Sequence, residues 1–125
     1  MSDLNRRPIG PTGAAYAMAH LVERPSRLLF ISGQVPTDAE GRAPDDFAAQ
    51  ARLAWRNVEA QLVEADMSLD DLVKVTIFLA DRAHRDLNAQ IRREVLGDRS
   101  PALTVIITGI WDEAWLLEIE AVAAA

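Results

Sequence analysis

The stretch SPALTVIITGIWDEAWLLEIEA, residues 100–121, decides the fold. Residues 103–110 are rich in β-branched side chains, and residues 116–122 alternate acids with aliphatic side chains, so both segments are predicted strands. The acidic pair at 112–113 predicts a tight turn between them. The sequence therefore predicts a closing β-hairpin.

Glu118 stands out in the second of these strands. Because successive side chains of a strand alternate between its faces, Glu118 and Glu120 share one face and the aliphatic residues the other. A carboxylate in so apolar a strand indicates an interface, a cleft or a solvated face. The predicted hairpin places Glu118 on the strand adjoining the one that carries Leu103.

Composition limits the kind of protein. With 125 residues, half of them hydrophobic, the chain is expected to form one domain, residues 1–125. The net charge of -6 argues against a nucleic-acid partner, which needs clustered Lys and Arg. The chain has no cysteine, and His20 and His84 are isolated, so no metal site and no cofactor is predicted.

The first residues, MSDLNRRP, lack the apolar core of a signal peptide. No apolar run is long enough to span a membrane, so no membrane partner is expected. The cytoplasm is the default compartment for such a chain.

The remaining elements follow from periodicity and from turn residues. An extended arm is predicted for residues 1–13, strands for 16–22, 28–35 and 73–79, and helices for 45–65 and 81–95. The first helix places Gln50 and Asn57 off its apolar stripe, and the pair Arg92-Arg93 reads as a solvated face of the second.

The resulting order, β-β-α-β-α-β-β, predicts an α+β fold with two helices on one face of a small mixed sheet. The strands are apolar on both sides, and no further helix is predicted for the second face. We therefore expect that face to be hidden by association between copies of the chain.

Six segments in this order resemble the Rid superfamily, also known as the YjgF group. They are ISGQVPTD, QARLAWRNVEAQL, VKVTIFLAD, Asn88 in the second helix, Ser-Pro-Ala before a strand, and the terminal EIEAVA. The resemblance covers the chain from about residue 9 onward. It implies a chorismate-mutase-like fold and a homotrimer with a central barrel, and it places small-molecule ligands in three clefts between subunits.

The resemblance also implies site residues. Ser32 and Glu118 match the positions of a cleft serine and of a water-activating glutamate, which makes them the catalytic candidates. The implied substrate-binding positions are Tyr16, Gly33, Asn88, Ala102, Leu103 and Thr104. The alternative interpretation is structural: Glu118 as a solvated strand residue, Tyr16 as a packing residue and Asn88 as a partner of a neighbouring loop.

Leu103 is the main departure from the family pattern, in which an arginine follows the Pro-Ala pair and holds the substrate carboxylate. An arginine binds a carboxylate by two parallel, charge-assisted hydrogen bonds, whereas leucine has no donor. Either another cation serves or the ligand lacks that carboxylate. Candidate cations lie on the arm and on the first hairpin, which strands 16–22 and 28–35 are predicted to form: Arg6, Arg7, Arg24 and Arg27.

Three functions are compatible with these residues. The first is a Rid-type hydrolase of enamines, imines or related small molecules, with a specificity changed by Leu103. The second is a trimeric module that binds a small metabolite without catalysis. The third, an endoribonuclease, is disfavoured by the acidic charge and by the absence of a histidine pair.

Overall fold

A computed structural model describes residues 6–125 of the chain. The strands are β1 (Arg6–Pro11), β2 (Ala17–Val22), β3 (Leu28–Gln34), β4 (Leu72–Leu79), β5 (Ala102–Ile107) and β6 (Leu117–Ala124), and the α-helices are α1 (Phe47–Glu64) and α2 (Arg85–Leu96). Short 3-10 turns precede β4 and α2. The strands form one mixed sheet in the order β1-β2-β5-β4-β6-β3.

Capping residues set the ends of the two helices. The Asp46 carboxylate caps α1 by accepting a hydrogen bond from the Ala49 amide at 3.1 Å. The chain before α2 forms a 3-10 turn capped by Asp81, so this helix starts four residues later than the predicted 81. Gly97, with φ of 59°, follows its end.

The core lies between the helices and one face of the sheet. Alternate residues of the central strands, such as Val75, Ile77 and Ile119, are fully buried and form one cluster with Trp55 of α1 and Ile91 of α2. The α+β class, with its mixed sheet and two helices, is confirmed.

The opposite face of the sheet mixes apolar and polar side chains. Phe30 is 72% exposed and Ile106 is 40% exposed. A cavity of about 250 Å³ on this side is lined in part by Ser32, Lys74 and Glu120. No helix of the described chain is long and apolar enough to cross a membrane.

The predicted closing hairpin is wrong. β4 lies between β5 and β6, parallel to β5 and antiparallel to β6. The connection 108–116 crosses the end of β4, where the Thr108 amide donates to the Leu79 carbonyl and the Ala80 amide to the Leu116 carbonyl. The β4-α2-β5 segment is a crossover that returns the chain parallel to β4, and it outweighs the tendency of sequential strands to pair.

The N-terminal arm is also corrected in part. Residues 6–11 form β1, which pairs antiparallel with β2, while residues 1–5 lie outside the described chain. β2 and β3 are not neighbours in the sheet, because β2 pairs with β1 and β5, and β3 pairs with β6. The prolines and the glycine of PIGP made this strand hard to predict. β1 lies at the edge of the sheet, and an edge strand tolerates proline, which has no backbone N–H to donate to a neighbouring strand.

Candidate functional site

Ser32, Gly33 and Glu118 come together where β3 ends beside β6. The β3–β6 register shifts between Ile31 and Gln34, so the backbone is irregular at this point. A Cβ atom on Gly33 would overlap Oε2 of Glu118 and would lie 2.7 Å from its Cδ. Glycine is therefore what lets the Glu118 carboxylate lie against the β3 backbone. Ser32, next to it, is exposed.

A second group forms around β5, at its junction with β2. Ala17 pairs in parallel with Ala102, and the Ala17 amide donates to the Pro101 carbonyl at 3.0 Å. Tyr16 comes one residue before Ala17, and Leu103 comes one residue after Ala102. Because side chains alternate along a strand, Tyr16 and Leu103 lie on the same side of the sheet, on either side of the Ala17–Ala102 pair.

Leu103 and Thr104 face opposite sides of the sheet. Leu103 pairs with Val75 of β4, so its side chain lies on the helix side, where it is half-buried against the core. Thr104 pairs with Thr76, and its hydroxyl accepts a hydrogen bond from Lys74 Nζ at 2.7 Å on the other side. Ala102 shares the side of Thr104. The predicted binding residues of β5 therefore divide between two faces.

The two groups do not meet within one chain. Glu118 pairs with Phe78 of β4, and Phe78 pairs with Ile106 of β5, so Glu118 is two strands away from β5 and faces the side opposite to Leu103. The expectation that Glu118 lies on the strand adjoining Leu103 is wrong, because it depended on the hairpin.

Arg92 of α2 is buried, with 5% of its surface exposed, whereas its neighbour Arg93 is exposed. Its Nη2 donates to the Ala14 carbonyl at 3.0 Å, and its Cζ lies 5.5 Å from the centroid of the Tyr16 ring. The interpretation of both arginines as a solvated face is thus wrong for Arg92. Burial, and to a lesser degree the charge of Arg93, lowers the pKa of Arg92.

Asn88 lies one helical turn before Arg92 and is buried, with 2% of its surface exposed. Among the described residues, Asn88 Oδ1 and Arg92 Nε are buried without a hydrogen-bond partner. The spacing of four residues puts both side chains on one face of α2. That spacing was the one signal in the sequence that could have revealed the pair.

Gln50 of α1 is a second buried polar residue that the periodicity missed. Its Nε2 donates to the carbonyls of Pro44 at 2.8 Å and Ala114 at 2.9 Å, and its Oε1 accepts from the Leu116 amide at 2.8 Å. Gln50 therefore joins the segment before α1 to the connection 108–116. Asn57 acts similarly, through hydrogen bonds from its Nδ2 to the carbonyls of Val35 and Thr37.

Two of the four arginines that were candidates to replace the family arginine already bind other groups of the chain. Arg6 forms an ion pair with Asp71 at 2.8 Å and also donates to the Asp70 carbonyl. Arg27 donates to the carbonyls of Ala65 and Asp66. The other two candidates, Arg7 and Arg24, are exposed.

The histidines are separate from one another in the fold. His20 Nδ1 lies 3.1 Å from the Ser100 carbonyl, and burial lowers the pKa of His20. His84 stacks on Phe47, with ring centroids 4.5 Å apart. Within residues 6–125, no cluster of three or more His, Cys, Asp or Glu could hold a metal ion.

The structure defines a class of small α+β domains. Its features are a six-stranded mixed sheet with two helices and a glutamate carboxylate that lies against a strand-end glycine. The chain belongs to the Rid family: the family model described as Endoribonuclease L-PSP matches residues 11–125. The predicted membership is confirmed.

This chain is similar to known proteins both in sequence and in fold. A RutC family protein of Pyrococcus abyssi is 30% identical over 119 residues, which cover 94% of this chain and 88% of that protein. The Escherichia coli protein TdcF, whose name is that of a reactive intermediate deaminase, is 42% identical over 55 residues, 43% of each chain. The crystal structure of YyfB from Yersinia pestis, of the Rid protein family, has a TM-score of 0.84 at 25% identity and covers 97% of this chain and 99% of its own.

Proposed function

We propose that the chain is a Rid-type hydrolase of reactive enamines, imines or related metabolites, with a specificity changed by Leu103. The observation that carries this proposal is the contact of Gly33 with the Glu118 carboxylate, which places a proton acceptor against the end of β3, where Ser32 precedes Gly33 in the chain. The name of the relative TdcF supports the same reaction class.

The proposed reaction needs only water. The Glu118 carboxylate accepts a proton from a water molecule as that water attacks the imine carbon. The proton is then delivered to the departing nitrogen, so that C=NH and H₂O give C=O and NH₃. Ser32 and backbone amides near Gly33 would orient the reacting nitrogen or the developing oxygen.

The proposed assembly is a homotrimer with the sites in clefts between subunits. Two facts support it: Glu118 and Leu103 lie on different faces of one chain, and the sheet side opposite the helices carries exposed Phe30 and Ile106. Large apolar side chains exposed on such a face are unfavourable in water and are stabilised by burial against another subunit.

We expect sedimentation equilibrium at micromolar concentration to give three times the chain mass of 13.7 kDa. Phe30→Glu, which puts a charge on the exposed sheet side, should shift the equilibrium towards monomer, whereas Val63→Glu on the exposed side of α1 should not. A stable wild-type monomer would refute the proposed assembly.

We also expect slow turnover of small 2-imino carboxylates. Charge-assisted hydrogen bonds contribute about 1.5–3 kcal/mol each, so Leu103 in place of the arginine fork should lower kcat/KM by roughly two powers of ten or more. Ammonia release from 2-iminobutyrate is the measurement, run beside an arginine-bearing family member. Equal rates for the two proteins would show that residue 103 does not set the specificity.

A non-catalytic metabolite-binding trimer is the second candidate, and the observation that favours it is again Leu103. A thermal-shift screen separates the two, because a ligand that binds only the folded state raises Tm whether or not it reacts. Ligands that raise Tm but are never hydrolysed would favour the binding module. A ribonuclease is the third candidate, and the net charge of -6 disfavours it.

A further inference from the structure

Arg92 is a buried cation that has no anionic partner among residues 6–125. Charged side chains are rarely buried unless they are paired, because the lost hydration must be replaced. Arg92 is 5% exposed, yet the ion pairs of the described residues involve other arginines. The Ala14 carbonyl and the face of Tyr16 satisfy only part of the guanidinium, and its Nε–H remains buried without an acceptor.

Neighbouring groups extend this unsatisfied polar region. Asn88 is 2% exposed, lies on the same face of α2, and also has a buried oxygen without a partner. Two buried polar groups on one face of α2 that lack partners within residues 6–125 need water or a ligand to complete their hydrogen bonds. The guanidinium requires an acceptor with negative charge, and the side-chain amide of Asn88 can donate or accept.

Apolar side chains border the same region. Leu103 and Val105 are on the helix side of β5, and Val105 is 38% exposed. The Arg92 guanidinium lies over the ring of Tyr16, and Tyr16 is next to the Ala17–Ala102 pair that Leu103 follows. A ligand here would meet a cation at one end and aliphatic side chains along its body.

We propose that Arg92, assisted by Asn88, binds the carboxylate of a small substrate whose apolar body lies on Leu103 and Val105. This inference rests on the proposed hydrolase and deepens it, because it supplies the cation that Leu103 lacks. The cation approaches from α2 rather than from β5. A small 2-imino acid held from α2 would not place its imine carbon where one clamped at residue 103 would, which is consistent with the slow turnover expected above. The substrate class is therefore a monocarboxylic imine or enamine with an apolar body larger than that of 2-iminobutyrate.

Calorimetric titration with benzoate, and with benzamide as its uncharged isostere, tests the inference without requiring turnover. Wild type should bind benzoate at least tenfold more tightly than benzamide, and Arg92→Gln should lose about tenfold or more in benzoate affinity. Arg92→Lys should retain part of it. The matched control is Arg93→Gln, an exposed arginine on the same helix, which should stay within about twofold of wild type.

A second measurement uses wild type alone, in case the variants fail to fold. Phenylglyoxal modifies arginines that solvent can reach, so the buried Arg92 should react more slowly than the exposed Arg93, and benzoate should slow Arg92 further without slowing Arg93, as mapped by peptide mass spectrometry. If Arg92 never reacts in the absence of benzoate, no ligand can reach it and the inference is overturned. Equal protection of both, or benzoate affinity unchanged in Arg92→Gln, would overturn the inference.

The acceptor for Arg92 could also be a carboxylate of a neighbouring subunit. In that case Arg92→Gln would dissociate the oligomer in sedimentation while benzoate would not protect Arg92 in wild type, and this result would overturn the inference as well. Failure of benzoate binding does not affect the role of Glu118, which is tested by hydrolysis. The two proposals can therefore fail separately.

Discussion

Glu118→Gln is expected to lower the rate of imine hydrolysis by about 10²–10⁴-fold, the usual contribution of a positioned general acid or base. The substitution keeps the size of the side chain, so the new amide can still lie against Gly33. It removes the ability to accept a proton from water. The fold should be unaffected, because the carboxylate contacts the surface end of β3 rather than the core.

Ammonia release is the measurement, on whichever imine of a panel of charged and uncharged examples wild type hydrolyses fastest. Glu120→Gln is the control, because Glu120 is on the same face of β6 two residues further along and its substitution removes the same charge. Gly33→Ala is a second route to the same result, since its Cβ would displace the Glu118 carboxylate. If Glu118→Gln keeps more than about a tenth of the wild-type rate, Glu118 is not the proton acceptor.

The elements of the fold were accessible to sequence analysis because their periodicity is strong. The stripe of α1 and the apolar run of β4 are both buried as predicted. Pairing was harder to predict. Neighbouring strands in the sequence often pair, but here α2 returns β5 alongside β4, and the connection 108–116 then crosses over to the other side of β4.

Only those residues of the candidate site that belong to a recognisable motif could be predicted from the sequence. Ser32, Gly33 and Glu118 came from motif resemblance, and the structure places the Glu118 carboxylate against Gly33, the residue that follows Ser32. No motif carries Gln50 or Arg92, and the only sequence signal for Arg92 is its spacing of four residues from Asn88. Periodicity tells which apolar residues are buried and does not tell which polar neighbours are buried with them. Whether a polar side chain is buried depends on which carbonyls and amides the tertiary fold brings to it.

Gln50→Met is expected to cost about 2–4 kcal/mol of unfolding free energy, a large effect for one polar residue. Methionine matches glutamine in length, so the volume at this 1% exposed position changes little. The change leaves the Pro44 and Ala114 carbonyls and the Leu116 amide without their partner. Each such group, when shielded from water, costs about 1–3 kcal/mol, and partial access to water in the loops keeps the total below the sum.

Urea unfolding at a fixed protein concentration measures the loss, because any oligomer makes apparent stability concentration-dependent. Gln61→Met is the matched control, an exposed glutamine of the same helix that should change stability by less than about 0.5 kcal/mol. A local readout accompanies the global one. Trp111, 92% exposed in the connection that Gln50 holds, should be cleaved faster by chymotrypsin in Gln50→Met than in the control. Equal stability and equal cleavage in the two variants would show that the connection is held by other contacts, of which the Thr108–Leu79 and Ala80–Leu116 hydrogen bonds at the end of β4 are the nearest.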